Sequence, residues 1–278
     1  MSTASRPLSI RWLIILCAVM TVVWFGNLDA RRLIKTDEGR YAEIAREMLV
    51  SGDWVTPRSN DFKYFYKPPL QYWATATAFA TFGVNEWTAR LWTALTGWLG
   101  ILFCAFAAGR IWGQPVGIAA GAILAGSLYW VAMGHLSALD MGLASFLSIA
   151  IFAFLLAQRD EATTRSRRGW MIAAWAAMAL AVLSKGLIGI VLPAGAIGLY
   201  ILWQRDWRLI LRMHWLSGLA VFLALTAPWF ILVSMRNPEF VEFFFIREHF
   251  TRFLTKIHGR DAPWWTFIPI LLAGTLPF

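Results

Sequence analysis

Residues 12 to 28 are predominantly apolar, and seven further apolar runs follow at 89 to 111, 115 to 133, 139 to 157, 170 to 184, 187 to 203, 215 to 234 and from 264 onward. A run of about 17 to 25 such residues is what a helix needs to cross the hydrocarbon core of a bilayer. Eight of them in one chain predict an all-α polytopic membrane protein, a multi-span helical bundle. Composition agrees, because 59% hydrophobic against 15% charged residues is too apolar for a soluble domain of this length. The fifth and sixth runs are short and separated only by "SKG", which leaves a helical hairpin with a tight turn and a partly re-entrant pair both open. The last run reaches Phe278 without flanking polar residues, so 1–278 is expected to be the N-terminal part of a longer protein. A cleaved signal peptide over residues 1 to 30 fits less well, since the apolar run is long and "LDA" is a poor cleavage site.

Arginine placement sets the orientation. Arg6 and Arg11 precede the first run, Arg110 ends the second, and the loops 158–169 and 204–214 follow the fourth and sixth. These places alternate as one side, the cytoplasm. The opposite side receives the long loop 29–88, "GHLSALD", "SKG" and 235–263, and with them all five lysines: Lys35, Lys63, Lys67, Lys185 and Lys256. Long loops translocate largely regardless of charge.

The net charge of +9 raises nucleic acid as a partner, but cytoplasmic arginines fix topology and outer cations meet phosphate head groups. No nucleic-acid module, glycine-rich nucleotide loop or internal repeat accompanies the charge, so no nucleic-acid partner is expected. Cys17 and Cys104 lie inside expected spans, which argues against a disulfide framework and a Cys-based zinc site. His135, His214, His249 and His258 lack metal-ligand spacing. No cofactor is called for, and a divalent metal ion is the one candidate left open.

The loop 29–88 carries most of the information. After Asp37, the residues Tyr41, Ile44, Ala45, Met48 and Leu49 recur with helical period while Arg40, Glu43, Arg46 and Glu47 point elsewhere, which predicts an amphipathic interfacial helix. "SGDW" breaks it, and "YFYKPPLQYWATATAFATFG" begins a second segment. There Lys67 precedes a proline and is held extended, Pro69 suits the first turn of a helix, and Tyr64, Phe65, Tyr66, Tyr72 and Trp73 suit the interfacial level. Each feature has a plainer reading. Asp37 and Glu38 favour a helix N-terminus through its dipole, Asp140 in "SALD" matches a capping box, and Lys67 alone can snorkel. Against this, Asp37, Glu38, Lys67, Asp140, Lys185, Arg247, Glu248, His249 and Arg252 all project from outer ends of the spans. Carboxylates and cations gathered at one interface suit electrostatic or acid–base chemistry on a phosphorylated lipid.

"TDEGRYAEIAREML", "YKPPLQYW", "ALDMGLASF", "LSKGLIG" and "REHFTRF", in this order over nearly the whole chain, resemble the bacterial aminoarabinose transferases that modify lipid A. These belong to the polyprenyl-phosphate-sugar-dependent membrane glycosyltransferases, which include protein O-mannosyltransferases. The resemblance implies a GT-C-type fold of about thirteen spans with a C-terminal periplasmic domain, the later spans and that domain lying outside this chain. It implies transfer of 4-amino-4-deoxy-L-arabinose from undecaprenyl phosphate to a lipid A phosphate at the periplasmic face of the inner membrane, giving polymyxin resistance. By the same resemblance Asp37, Glu38 and Asp140 are the catalytic carboxylates. Lys67 and Arg252 bind the carrier phosphate, with Tyr64, Lys185 and Arg247 counted beside them. Transfer passes through an oxocarbenium-like state with charge growing on the departing phosphate, which fixed cations stabilise. Asp37 is open to two roles, positioning group or base. The rivals are a relative serving a protein or another glycan, and a lipid-linked-sugar transporter. The transporter would need charges within the spans, of which almost none were expected.

Overall fold

The structure, a computed structural model, describes residues 10–251 and 263–278. Each of the eight expected runs falls on a helix or a helix pair: α1 (Ile10–Phe25), α4 (Glu86–Trp112), α5 (Gln114–Gly126) with α6 (Leu128–Gly134), α7 (Leu139–Gln158), α8 (Thr164–Lys185), α9 (Ile188–Gln204), α11 (Trp215–Arg236) and α12 (Phe267–Thr275). The first loop adds α2 (Asp37–Ser51), α3 (Leu70–Phe82) and a hairpin of β1 (Arg58–Ser59) and β2 (Phe62–Lys63), while α10 (Arg208–Leu211) joins α9 to α11. Among the described residues α4, α7 and α11 are each long and apolar enough to cross a membrane, and α5–α6 passes that test as a pair bent by 65°.

The third run is therefore two helices bent at Ser127 and not one helix. Ser127 is extended at the break, with its hydroxyl turned back to the Ile123 carbonyl at 3.0 Å. The Leu128 N–H that the break releases donates to Leu276 O at 3.0 Å. A helix break at membrane depth survives only where a neighbour re-pairs the backbone, and the α12 end does so here. The fifth and sixth runs form a hairpin: Ile197 and Ile201 late in α9 pack with Met171 and Trp175 early in α8, which requires the two helices to run antiparallel. Gly186, at φ 92°, makes the turn. Close packing of α7 on α8 rests on small residues, with Ala150, Ala153, Ala157, Ala174, Ala177 and Ala181 all buried.

At the loop end of the bundle, α2 turns Ile44, Ala45 and Met48 onto Tyr72, Ala76 and Phe79 of α3 and Ala89 of α4. The hairpin turn Asn60–Asp61 has both φ values positive, at 53° and 66°, the geometry that matches strand twist in a two-residue turn. Glu47 accepts both turn N–H groups. The Trp229 indole donates to Val55 O at 3.0 Å and the Asn237 amide to Thr56 Oγ1 at 2.9 Å, which ties the same loop to the end of α11. Phe65, Trp229, Val233, Phe240 and Phe244 fill the space between, Phe240 just before and Phe244 within the π-helical segment Glu242–Thr251.

Candidate active site

The two adjacent carboxylates at the start of α2 have opposite surroundings. Glu38 is 2% exposed. Its oxygens accept from Arg31 at 2.6 and 3.1 Å, from Arg90 at 2.9 and 3.1 Å, and from the N–H groups of Ile34 at 3.0 Å and Ser137 at 2.8 Å. Arg90, 1% exposed near the start of α4, spends its remaining donors on the carbonyls of Leu28, Arg31 and Arg32. Arg31 also reaches His135 O at 3.0 Å. The post-α1 loop, α2, α4 and the α6–α7 turn thus meet on one carboxylate. Burial opposes its ionisation, but Arg90, Arg31 and the two backbone donors outweigh burial and hold its pKa down at about 2. With every lone-pair direction occupied, Glu38 fastens the site's framework and presents no open face to a substrate.

Asp37, one residue earlier, is 66% exposed and lies 3.9 Å from Arg40. Arg40 lies beside Tyr64, which raises its pKa, with the nearby Asp37 charge adding to the effect. Tyr41 is pushed well above its ordinary value by burial first, and then by Tyr64, Asp37 and Asp140; the Ser137 N–H bond to Glu38 brings the entry to α7 up to the start of α2. Tyr72 packs on Tyr41 at 6.1 Å, and its buried hydroxyl has no hydrogen-bond partner among the described residues.

Asp140 does not form the capping box that "SALD" suggests. The N-cap position of α7 is Ala138, with no side-chain cap. Ser137 gives its N–H to Glu38 and its hydroxyl accepts from Gln71, so it is unavailable as a cap. Asp140 instead pairs with Lys185, the last residue of α8, and both remain partly exposed. Lys67 is half-buried in the non-helical stretch before α3. Beside it an aromatic chain runs from Tyr64 to Tyr66 at 5.0 Å and on to Phe243 at 5.0 Å, with the Arg247 guanidinium 5.5 Å above the Phe243 ring. Glu248 is buried, whereas Arg252 and the His249 side chain lie outside the described residues. A groove of about 500 Å³ opens beside Asp140, lined by Trp130, Met133, Met141, Leu143 and Leu147. Among the described residues no three His, Cys, Asp or Glu side chains gather where one metal ion could bind them.

Asp37, Tyr64, Asp140 and Lys185 are thus gathered with Arg40 and Tyr41, and Lys67 and Arg247 adjoin them along the aromatic chain. Arg31, Arg40, Tyr41 and Arg90 were missed by reading the sequence. Arg90 had left a signal, an arginine one residue inside an expected span, which demands a partner.

Residues 9–244 match the family described as dolichyl-phosphate-mannose-protein mannosyltransferase. An undecaprenyl phosphate-alpha-4-amino-4-deoxy-L-arabinose arabinosyl transferase of Pseudomonas fluorescens is 32% identical, over 98% of this chain and 49% of its own length. Another from Shewanella sediminis is 36% identical, over 90% of this chain and 46% of its own. The chain spans about half the length of the curated relatives it matches. The crystal structure of ArnT from Cupriavidus metallidurans bound to undecaprenyl phosphate superposes with a TM-score of 0.92 at 45% identity, covering 97% of this chain and 49% of that one. The S. cerevisiae protein O-mannosyltransferase complex, at 16% identity and a TM-score of 0.55 over 84% of this chain and 34% of that one, shares the fold. A helical bundle that fastens one acidic residue behind its surface loop and leaves the neighbouring one exposed is, by these matches, a polytopic membrane fold of the GT-C kind, and the chain belongs to the dolichyl-phosphate-mannose-protein mannosyltransferase family.

Proposed function

We propose that this chain forms the donor-handling part of a transferase that moves 4-amino-4-deoxy-L-arabinose from undecaprenyl phosphate to a lipid A phosphate, at the periplasmic face of the inner membrane. The observation that carries the reading is the exposed Asp37 set on the fastened Glu38 and surrounded by Arg40, Tyr41, Tyr64 and the Asp140–Lys185 pair. Likeness to the undecaprenyl-phosphate-bound ArnT, 45% identical, favours this donor and acceptor over a protein acceptor, for which the solved relative is 16% identical.

In this reading the carrier phosphate lies against Lys67, Arg247 and Arg252, whose positive charge stabilises the negative charge that grows on the departing oxygen. Tyr64, beside Arg40, borders the phosphate. The acceptor phosphate monoester, with a second pKa of about 6, is already mostly ionised at neutral pH. Asp37 then has no proton to remove: it orients the acceptor or pairs with the sugar's amino group. Asp140, released from Lys185 by an incoming phosphate, complements the positive charge on the sugar ring. The apolar groove beside Asp140 takes an acyl chain.

The test is mass spectrometry of lipid A from cells with and without the full-length gene, expecting a pentosamine added only with it; unmodified lipid A in both would refute the acceptor. Location is tested by impermeant thiol labelling in spheroplasts. A cysteine at Ser59 is expected to react and one at Thr163 is not, and the opposite pattern would move the site to the cytoplasmic face. Asn237 is unsuitable for labelling, being 2% exposed.

A further inference from the structure

At the end of the bundle opposite Asp37, a cavity of about 380 Å³ lies between the C-terminal turns of α4 and α7 and the first turns of α8. Its polar lining is Arg110, Arg159, Glu161 and Ser166, and its apolar floor is Phe106 and Trp170. Arg159 pairs with Glu161 at 3.2 Å, but that carboxylate is 74% exposed. Arg110, in the last turn of α4, has no hydrogen-bond or ion-pair partner among the described residues. Phe103, Phe106 and Trp170 form a ring cluster with centroids 5.8 to 6.1 Å apart. Leu99, Leu102, Phe103, Phe106 and Arg110 fall on one stripe of α4 at i, i+3, i+4, i+7 and i+11. Leu99 and Leu102 of that stripe are 43% and 39% exposed.

We infer that this cavity binds the headgroup of an anionic glycerophospholipid in the leaflet opposite the candidate active site. A single phosphodiester charge matches two guanidinium forks, one of them otherwise unpartnered. The aromatic cluster lies at headgroup level, where amphipathic rings collect, and the leucine stripe continues from it as a surface for the acyl chains. Basic pockets between spanning helices hold anionic headgroups in this manner, whereas a loop that only sets topology needs neither a cavity nor an aromatic floor. The positive end of α8 adds to the attraction. This assignment is independent of the transferase reading, since it involves none of the same residues.

The experiment uses the full-length protein in detergent and native mass spectrometry with dioleoyl-phosphatidylglycerol and dioleoyl-phosphatidylcholine as probes. Phosphatidylglycerol is expected to bind preferentially. Arg110→Gln with Arg159→Gln should lower its affinity roughly twenty-fivefold, at about fivefold per arginine, without altering phosphatidylcholine binding. Arg165→Gln with Arg168→Gln removes the same charge from exposed positions in the first two turns of α8, outside the cavity lining, where solvent and salt screen it, and should cost less than about threefold. Should the first pair fail to fold, Arg110→Gln alone replaces an exposed helix-end residue and is expected to lose about fivefold. Equal losses in the two double variants, or none in the first, would overturn the site. Displacement of the lipid by millimolar inorganic phosphate would overturn its assignment to a lipid.

Discussion

The two ends of this bundle are both rich in charge and use it differently. At the first-loop end, Arg90 and Glu38 are almost wholly buried, at 1% and 3% side-chain exposure, and each donor and acceptor of the pair is used. At the other end Arg159 and Glu161 make an ion pair of similar length, 3.2 Å, with the carboxylate 74% exposed and, among the described residues, without a further hydrogen-bond or ion-pair partner. A buried pair is costly to assemble and severely costly to break, because the survivor is a lone charge without water. A surface pair contributes little in either direction. Charge content therefore says little about which end is rigid; desolvation and complete pairing decide it. Rigidity at the first-loop end is what lets Asp37 stand exposed in a fixed place.

Breaking the buried clasp should have the largest effect. Arg90→Ala leaves Glu38 buried with one of its two arginine partners and is expected to destabilise the full-length protein by about 3–5 kcal/mol, with loss of sugar transfer as Asp37 loses its support. Arg90→Lys should recover little, because an ammonium cannot reproduce the forked contacts. A melting temperature close to wild type for Arg90→Ala would remove the clasp from the account.

Asp37→Asn sharpens the contrast within the same end. The change keeps shape and removes one charge from an exposed first-turn position, where the dipole contribution is about 0.3–1 kcal/mol. Stability and carrier-lipid binding should stay near wild type while transfer is abolished. Full activity in Asp37→Asn would withdraw Asp37 from the mechanism, leaving a residue that only favours the helix start.

Acid should loosen the first-loop end through Glu38. Its folded pKa is held below the ordinary 4.5, at about 2, so its contribution to stability is complete above 4.5 and is lost as pH falls through about 2. Thermal melts of wild type and Glu38→Gln are expected to converge as pH falls across that window. Parallel pH dependence in the two proteins would show that the pair is not ionised as described.

The smallest effect belongs to the opposite end. Arg159→Ala breaks the pair with Glu161 and should change stability by less than about 1 kcal/mol. A larger loss would erase the distinction between the two ends.

Much of the bundle was legible in the sequence because spanning helices are set by local apolar length, and the eight runs fall on the helices described. The periodicity of Ile44, Ala45 and Met48 also marked the buried face of α2 in advance. Chain-local patterns could not separate Asp37 from Glu38, which share the first turn of one helix and the same charge. Their difference comes from Arg31, Arg90 and Ser137, and Arg90 and Ser137 lie 52 and 99 residues away from Glu38. The same applies to Ser137 and Asp140, which read as a capping box until tertiary contacts with Gln71 and Lys185 took both side chains elsewhere and Glu38 took the Ser137 N–H. The bend in the third run followed the same rule, since its apolar length was intact and the Leu128 N–H freed at the bend is paired by a carbonyl from residue 276. Apolar length and period are properties of a segment and survive in its sequence. Burial of a charge, and the partners that make it tolerable, exist only once distant segments have been brought together.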